Sequence, residues 1–177
     1  MSRHLPSPSR WTGDDVAALL AAGPDERIAF LPASTNAARL AETLVALANA
    51  HGGMAVFGIA PSGRPQGIAD PDEALDTVQA AELLATPPLI IPVPQMVEYA
   101  DRRICLIEVP PGLPHAYSLN GRYLTRTGTN NRLLSSAELA GLLLARAEAG
   151  FEARPAPDAT LADLDMAQVE AYLGRLP

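Results

Sequence analysis

The stretch from Leu40 to Ile59 constrains the fold more than any other part of the chain. Its first half carries apolar side chains at helical spacing, which predicts an amphipathic helix. The predicted buried face consists of Leu40, Leu44, Leu47, Ala48 and His51. Gly52 and Gly53 follow, and a glycine after the last turn can end a helix because it readily adopts the left-handed conformation. Met54 to Ile59 is short, apolar and β-branched, as in a buried strand. This stretch therefore predicts the centre of the core.

The remaining elements predict a single α+β domain with a mixed, mostly antiparallel sheet and packed helices. The predicted strands lie near 26–31, 54–59, 95–99, 103–109 and 122–127. The predicted main helices lie near 36–51, 71–85 and 136–149, with short helices towards both termini. We expect a flexible start and a short helix over 1–22, the domain over 23–150, and a linker with a short helix over 151–177.

Local signals define several boundaries. Ser135 and Glu138 have the spacing of a capping box at the start of a helix. Asn120-Gly121 is the favoured pair for a two-residue turn between antiparallel strands. Prolines interrupt the extended run 89–98, and because proline cannot donate to a strand ladder we place this run at a sheet edge.

Composition limits the class of partner. The formal net charge of −7 and the pI near 4.9 argue against non-specific attraction to nucleic acid or anionic membranes. No apolar run approaches the ~18 residues that a membrane span needs. The chain does not open with a signal peptide, and Cys105 is the only cysteine, so we expect a reducing, cytoplasmic location and no membrane partner.

The basic window, which we define as residues 109–137, contains no carboxylate. Side-chain donors and free backbone N–H groups near a helix start can meet a phosphate. The candidate nucleic-acid contacts in the window are Arg122, Arg126, Thr127, Thr129, Asn130, Arg132 and His115. The alternative is structural: Arg126 pairs with an internal carboxylate such as Glu108, and residues 128–131 only form a turn. The sequence leaves both interpretations open.

Several spaced motifs together resemble the AlbA_2, or Schlafen-like, domain family. The central helix ends as A-N-x-x-G-G at 48–53, and the central strand ends as F-G-I at 57–59. A later strand carries Y-x-x-R-x-G-[ST]-x-x-R at 123–132, before S-x-x-E at 135–138. Each motif alone is weak, and their agreement over residues 23–147 carries the resemblance. It implies nucleic-acid handling, commonly as the DNA-binding part of a bacterial transcriptional regulator, within a longer protein.

The resemblance also locates the positions of the family's nuclease chemistry. Nuclease-competent relatives hold a divalent metal on three carboxylates, two of them in a G-E-x-x-x-x-E-F-K pattern. This chain has Pro24 and Ala29 at those two positions, Leu31 at the lysine, and Ala60-Pro61-Ser62 where the third acid is expected. Hard divalent metals need oxygen ligands. We therefore predict no catalytic residues, no metal and no other cofactor.

Three functions remain open. The first is a non-catalytic module that binds DNA or RNA through the basic window. The second is an interaction or oligomerisation module without nucleic-acid binding, for which the proline-rich sheet edge suggests a homodimer. The third is a metal-dependent RNase that uses displaced carboxylates such as Glu26, Glu42 or Glu108.

Overall fold

Two four-stranded sheets enclose a central helix in this computed structural model, which describes residues 11–110 and 114–149, with side chains up to residue 147. The elements of these residues, numbered in chain order, are α1 Gly13–Ala22, β1 Ile28–Leu31, α2 Ala37–Asn49, β2 Gly53–Phe57, α3 Pro71–Leu84, β3 Ala85–Thr86, β4 Gln95–Tyr99, β5 Arg102–Val109, β6 Ser118–Leu119, β7 Arg122–Thr127, β8 Asn130–Leu133 and α4 Ser136–Ala149. None of the helices in these residues is long and apolar enough to cross a membrane.

The first sheet has the strand order β1-β2-β5-β4. Strands β1 and β2 are parallel, and the other neighbours pair antiparallel. One face, with Val56 and Ile104, packs against Val16 and Leu19 of α1. The opposite face packs against α2 and α3. The short N-terminal helix predicted from the sequence therefore covers one side of this sheet.

The second sheet has the order β3-β6-β7-β8 and lies on the far side of α2. Asn120 and Gly121 both have positive φ, 50° and 73°, as the predicted two-residue turn between β6 and β7 requires. The sequence predicted one mixed sheet, and this was wrong in that β7 belongs to a separate sheet. The α+β class and the mostly antiparallel pairing are confirmed.

Helix α2 is buried almost all round because it lies between the two sheets. Leu40, Ala41 and every side chain from Thr43 to Asn49 are buried. The predicted amphipathic pattern therefore understated its burial, whereas His51 follows the helix end and is exposed rather than part of the buried face.

The two glycines after α2 act as predicted, and for separate reasons. Gly52 has φ 68° and donates its N–H to the Leu47 carbonyl, which closes the helix end. Gly53 has φ 150°, and a Cβ at this position would overlap the Arg27 carbonyl. Strand β2 can therefore enter the sheet beside β1 only with a glycine at this point.

Asn49, the last residue of α2, fastens the helix to the second sheet. Its Nδ2 donates to the carbonyls of Tyr117 and Leu124 at 2.7 and 2.8 Å, and its Oδ1 accepts from the Tyr117 N–H at 2.8 Å. The side chain is buried and uses its full donor capacity. The asparagine of the A-N-x-x-G-G motif is therefore a structural residue in this chain.

The predicted edge run 89–98 is a strand only in part. Strand β4 begins at Gln95 and pairs with β5 alone, so it is an edge strand as expected. Residues 87–94 form no strand pairing, because the prolines remove ladder donors. The predicted C-terminal helix lies outside the described residues, and the domain boundaries stay predictions.

Candidate functional site

A cavity of about 480 Å³ lies at the free edge of β1, between this strand and the β7–β8 hairpin. The residues that line it are Pro24, Ala29, Phe30, Leu31, Arg39, Thr43, Pro61, Arg126, Thr129, Asn130 and Asn131. None of these described residues carries a carboxylate. The fold therefore brings together three positions that the resemblance assigned to metal-binding acids, at Pro24, Ala29 and Pro61, and it lines the same space with two arginines.

Arg126 projects from β7 and crosses to β1. Its Nε donates to the Asp25 carbonyl at 2.8 Å and its Nη2 to the Ile28 carbonyl at 3.1 Å. Its Nη1 donates to Oδ1 of Asn131 at 3.0 Å. In the structural alternative, this arginine paired with an internal carboxylate such as Glu108. The acceptors found are instead neutral oxygens. Arg126 joins the two sheets because it projects from β7 and bonds to backbone carbonyls at the free edge of β1 and just before it.

The charge of Arg126 is poorly neutralised for a buried group. Only 8% of the residue is exposed. Burial lowers the pKa of the guanidinium from its ordinary value, and the nearby Asp25 carboxylate opposes this effect. An arginine remains charged even so. Three of its five N–H groups are used in the bonds above, so two remain for a ligand in the cavity.

Asn131 connects Arg126 to the central helix. Its Oδ1 accepts from Arg126, and its Nδ2 donates to Oγ1 of Thr43 at 3.0 Å. Because both ends of the amide are bonded, the network fixes the side chain of Arg126 at the cavity. Asn131 was not among the predicted site residues, although it lies between two that were.

Arg39, at the start of α2, provides the second positive charge. Its Nη1 bonds to Oε2 of Glu42 at 2.7 Å, and its side chain is 65% exposed. An exposed ion pair three residues apart on a helix contributes little, ~0.5 kcal/mol or less, and is readily exchanged for another anion. The guanidinium of Arg39 is therefore exposed and weakly held at the cavity, whereas that of Arg126 is buried and held by three hydrogen bonds.

Arg132, a predicted contact, is occupied by an acid from beyond the basic window. It binds Glu138 through two bonds, Nη1 to Oε2 at 2.9 Å and Nη2 to Oε1 at 2.6 Å. These bonds, followed by those from Ser135, hold the pKa of Glu138 well below its usual range. Ser135 and Glu138 also form the predicted capping box. The charge of Arg132 is therefore locally compensated.

The other predicted contacts divide between the cavity and the outer surface. Thr129 and Asn130 line the cavity. Thr127 accepts a bond from Nε of Arg132, while Arg122 lies exposed at the opposite end of β7. His115 is exposed and packs edge-to-face on Tyr117, with ring centroids 6.0 Å apart. Neither Arg122 nor His115 lines the cavity.

The segment after Gly128 differs from the sequence interpretation. We expected residues 128–132 to lead from a strand into the capped helix and to offer free backbone N–H groups. Asn130–Leu133 instead forms β8, which pairs with β7 through a two-residue turn. Its candidate donors are therefore side chains on a hairpin.

Within residues 11–110 and 114–147, no three His, Cys, Asp or Glu side chains come close enough to hold a metal ion. Of the displaced acids considered, Glu26 is exposed and Glu42 is paired with Arg39. Cys105 is buried, which raises the pKa of its thiol to about 12. The prediction of no enzymatic activity remains a prediction.

Comparison with known proteins shows which family the sequence matches. The family model described as Schlafen, AlbA_2 matches residues 26–135. No curated protein matches the chain. Among solved structures, the DIP2311 protein from Corynebacterium diphtheriae is 21% identical with a TM-score of 0.56, over 93% of this chain and 40% of that protein.

A second similar structure is the N-terminal domain of a protein from Nitrosomonas europaea whose name marks it as related to the ATP-dependent DNA helicase RecG. It is 21% identical with a TM-score of 0.52, over 70% of this chain and 91% of that domain. At this identity both structures show a shared fold. The chain spans less than half the length of DIP2311.

The matched residues 26–135 cover more than half of the chain and include β1, α2, and the β7–β8 hairpin around the cavity. The motifs, the fold and the family model therefore agree, and the chain belongs to the Schlafen AlbA_2 family.

Proposed function

We propose that this chain is a non-catalytic nucleic-acid-binding module whose binding centre is the cavity beside β1. One observation carries the proposal: Pro24, Ala29 and Pro61 replace the acids of nuclease-competent relatives, and Arg39 and Arg126 line the same space. Because neutral residues occupy the acid positions, the charged side chains among the described residues that line the cavity are the two arginines, and the preferred ligand is an anion rather than a cation. A nucleic-acid phosphate is the anion that the family context favours.

The donors in the cavity suit a phosphate. Arg126 has two N–H groups beyond the three that are bonded, and Arg39 has an exposed guanidinium. Thr129 and Asn130 are exposed and polar on the hairpin opposite. Arginine gives bidentate, charge-assisted bonds to phosphate, which are shorter and stronger than bonds between neutral groups. Because the net charge is −7, we expect local contacts rather than long-range attraction to determine affinity.

Fluorescence anisotropy tests this proposal with labelled DNA and RNA, single- and double-stranded, at low salt and with EDTA. We expect binding without divalent metal. Arg39→Ala should weaken it about tenfold and reduce the dependence on salt by about one phosphate contact. Glu42→Gln should strengthen it, because this change removes the carboxylate that competes for Arg39.

Arg103→Ala is the matched control, because Arg103 is exposed on β5 and does not line the cavity, while the change in net charge is the same. The proposal is wrong if the wild type binds no nucleic acid at low ionic strength. It is also wrong if Arg39→Ala and Arg103→Ala weaken binding equally.

The absence of cleavage is tested separately. We expect tRNA and single-stranded DNA to remain intact in Mg²⁺ or Mn²⁺, since the carboxylate positions are occupied by Pro24, Ala29 and Pro61. Manganese-dependent cleavage that disappears on Glu26→Ala would contradict this. The context we propose is a protein of the transcriptional-regulator type, which rests on the family resemblance, in the reducing cytoplasm, which rests on the lone cysteine.

A second candidate, an interaction module, is favoured by one feature. Ile90 and Val93 lie in the proline-rich segment before β4 and are 78% and 83% exposed. Exposed apolar side chains at a sheet edge can meet a second copy of the chain. A dimer in sedimentation at micromolar concentration that dissociates on Ile90→Ser with Val93→Ser would support it, and a wild-type monomer would count against a homodimer.

A further inference from the structure

We propose, building on the binding function above, that the cavity takes one unpaired nucleotide, so that the protein prefers single strands to duplexes. The proposal rests on the free edge of β1, on the recessed position of Arg126 and on the apolar part of the wall. Each of these features favours an unstacked, unpaired base over a base inside a nucleic-acid duplex.

At the free edge of β1, the backbone N–H and C=O of one residue make no hydrogen bond to the described residues. Arg27 and Leu31 direct their carbonyls to the β2 side, where both accept bonds. Because residues along a strand alternate in direction, Ile28 and Phe30 direct their backbone groups to the opposite, free edge. This is the edge at which the cavity lies.

Ile28 is already satisfied there. Its carbonyl accepts from Asp25 and Arg126, and its N–H donates to Oδ1 of Asp25. In the described part of the chain, the N–H and C=O of Phe30 have no partner on this edge. One donor beside one acceptor is complementary to the pairing edge of one nucleobase. It is too short for an added peptide strand, which needs a row of such groups.

The cavity has room and surface for the rest of the nucleotide. Its volume of about 480 Å³ lies within the range of small-molecule sites, roughly 300–1,000 Å³. Pro24, Ala29 and Pro61 form an apolar side that suits the face of a base. Arg126 lines the cavity and is 8% exposed, so a phosphate that bonds to it has to enter the cavity.

A duplex cannot supply these contacts. Its bases are stacked and their pairing edges are bonded to the opposite strand. Unstacking and unpairing a base costs a few kcal/mol. An unpaired base pays little of this cost. The protein should therefore distinguish strands by whether a base can leave the stack.

The test uses the full chain and short strands that carry a single thymine between abasic positions. We expect this strand to bind at least about tenfold more tightly than an all-abasic strand, since contacts to one base are worth about this factor. Methylation of thymine N3 removes the donor that faces the Phe30 carbonyl, and we expect it to abolish most of that gain. A matched single strand should bind more tightly than its duplex, in DNA and in RNA.

Pro61→Ser makes the apolar side polar and should weaken binding to the thymine strand about fivefold. Pro65→Ser is its control, because Pro65 lies four residues later and does not line the cavity. Equal binding of thymine, N3-methylthymine and abasic strands, or equal binding of duplex and single strand, would overturn the inference while the Arg39 dependence still stood. No binding to any strand would overturn the proposed function itself.

Discussion

Replacing Asn49 tests the central packing of this fold. Its amide makes three hydrogen bonds of 2.7 to 2.8 Å across the boundary between α2 and the second sheet. In Asn49→Ala, one N–H and two carbonyls in a buried region lose this partner. Each buried polar group without a partner costs ~1–3 kcal/mol, and carbonyls can retain other bonds. We expect a loss of about 3–5 kcal/mol in the free energy of unfolding.

Asn49→Asp should be at least as damaging. The carboxylate oxygen that replaces Nδ2 would face the carbonyls of Tyr117 and Leu124, two acceptors that it cannot serve while ionised. Protonation restores a single donor, so we expect the loss for this variant to decrease as the pH falls. This pH dependence separates a hydrogen-bonding role from a purely steric one.

Urea unfolding measures the effect, by circular dichroism and by fluorescence of Trp11, the only tryptophan, which is buried beside α1. With an m-value of ~2 kcal/mol/M, the midpoint should fall by about 2 M in Asn49→Ala. Asn36→Ala is the graded control, because Asn36 makes one exposed cap bond and should cost about 1 kcal/mol. A loss in Asn49→Ala no larger than that of Asn36→Ala would refute the reasoning.

Three further predictions concern single positions outside the cavity. Ala100 has φ 49° in the β4–β5 turn, so Ala100→Gly should raise the free energy of unfolding by about 1 kcal/mol in urea titration; a decrease would argue against strain there. Burial raises the pKa of Cys105 to about 12, so its thiol should resist a disulfide reagent at pH 8 until urea unfolds the chain. Bonds to Arg132, then to Ser135, lower the pKa of Glu138, so its contribution to stability is present above about pH 4.5 and is lost as the pH falls towards the folded value. Glu138→Gln should therefore flatten the acid side of the stability profile, and an unchanged profile would contradict this.

The sequence determined features that depend on neighbours along the chain. The Ser135 and Glu138 cap, the Asn120-Gly121 turn and the closing of the α2 end by Gly52 all follow from residues within a few positions of one another. The short apolar run from Met54 to Ile59 also identified the buried strand after α2. Local backbone preferences are nearly independent of the rest of the fold, so they can be read directly.

The motifs also identified the family, although not the role of each motif residue. The asparagine of A-N-x-x-G-G is buried and hydrogen-bonds α2 to the second sheet. The arginine of the β7 motif joins the two sheets. Asn131 and Arg39 gave no sequence signal of a site, because an asparagine in a predicted turn and an arginine on an exposed helix face are ordinary. Arg39 can be identified as a site residue only from its proximity in space to the replaced acid positions, which the sequence does not give.

Only the tertiary structure decided where the charge is available. The absence of carboxylates in the basic window suggested that Arg132 was free, yet Glu138 folds back from just beyond the window and pairs with it. The structure also brought Pro24, Pro61 and Arg126 to one cavity from distant parts of the chain. A charge pattern along a sequence does not specify electrostatic partners, because Coulomb energy depends on distance in space and on burial, and folding sets both.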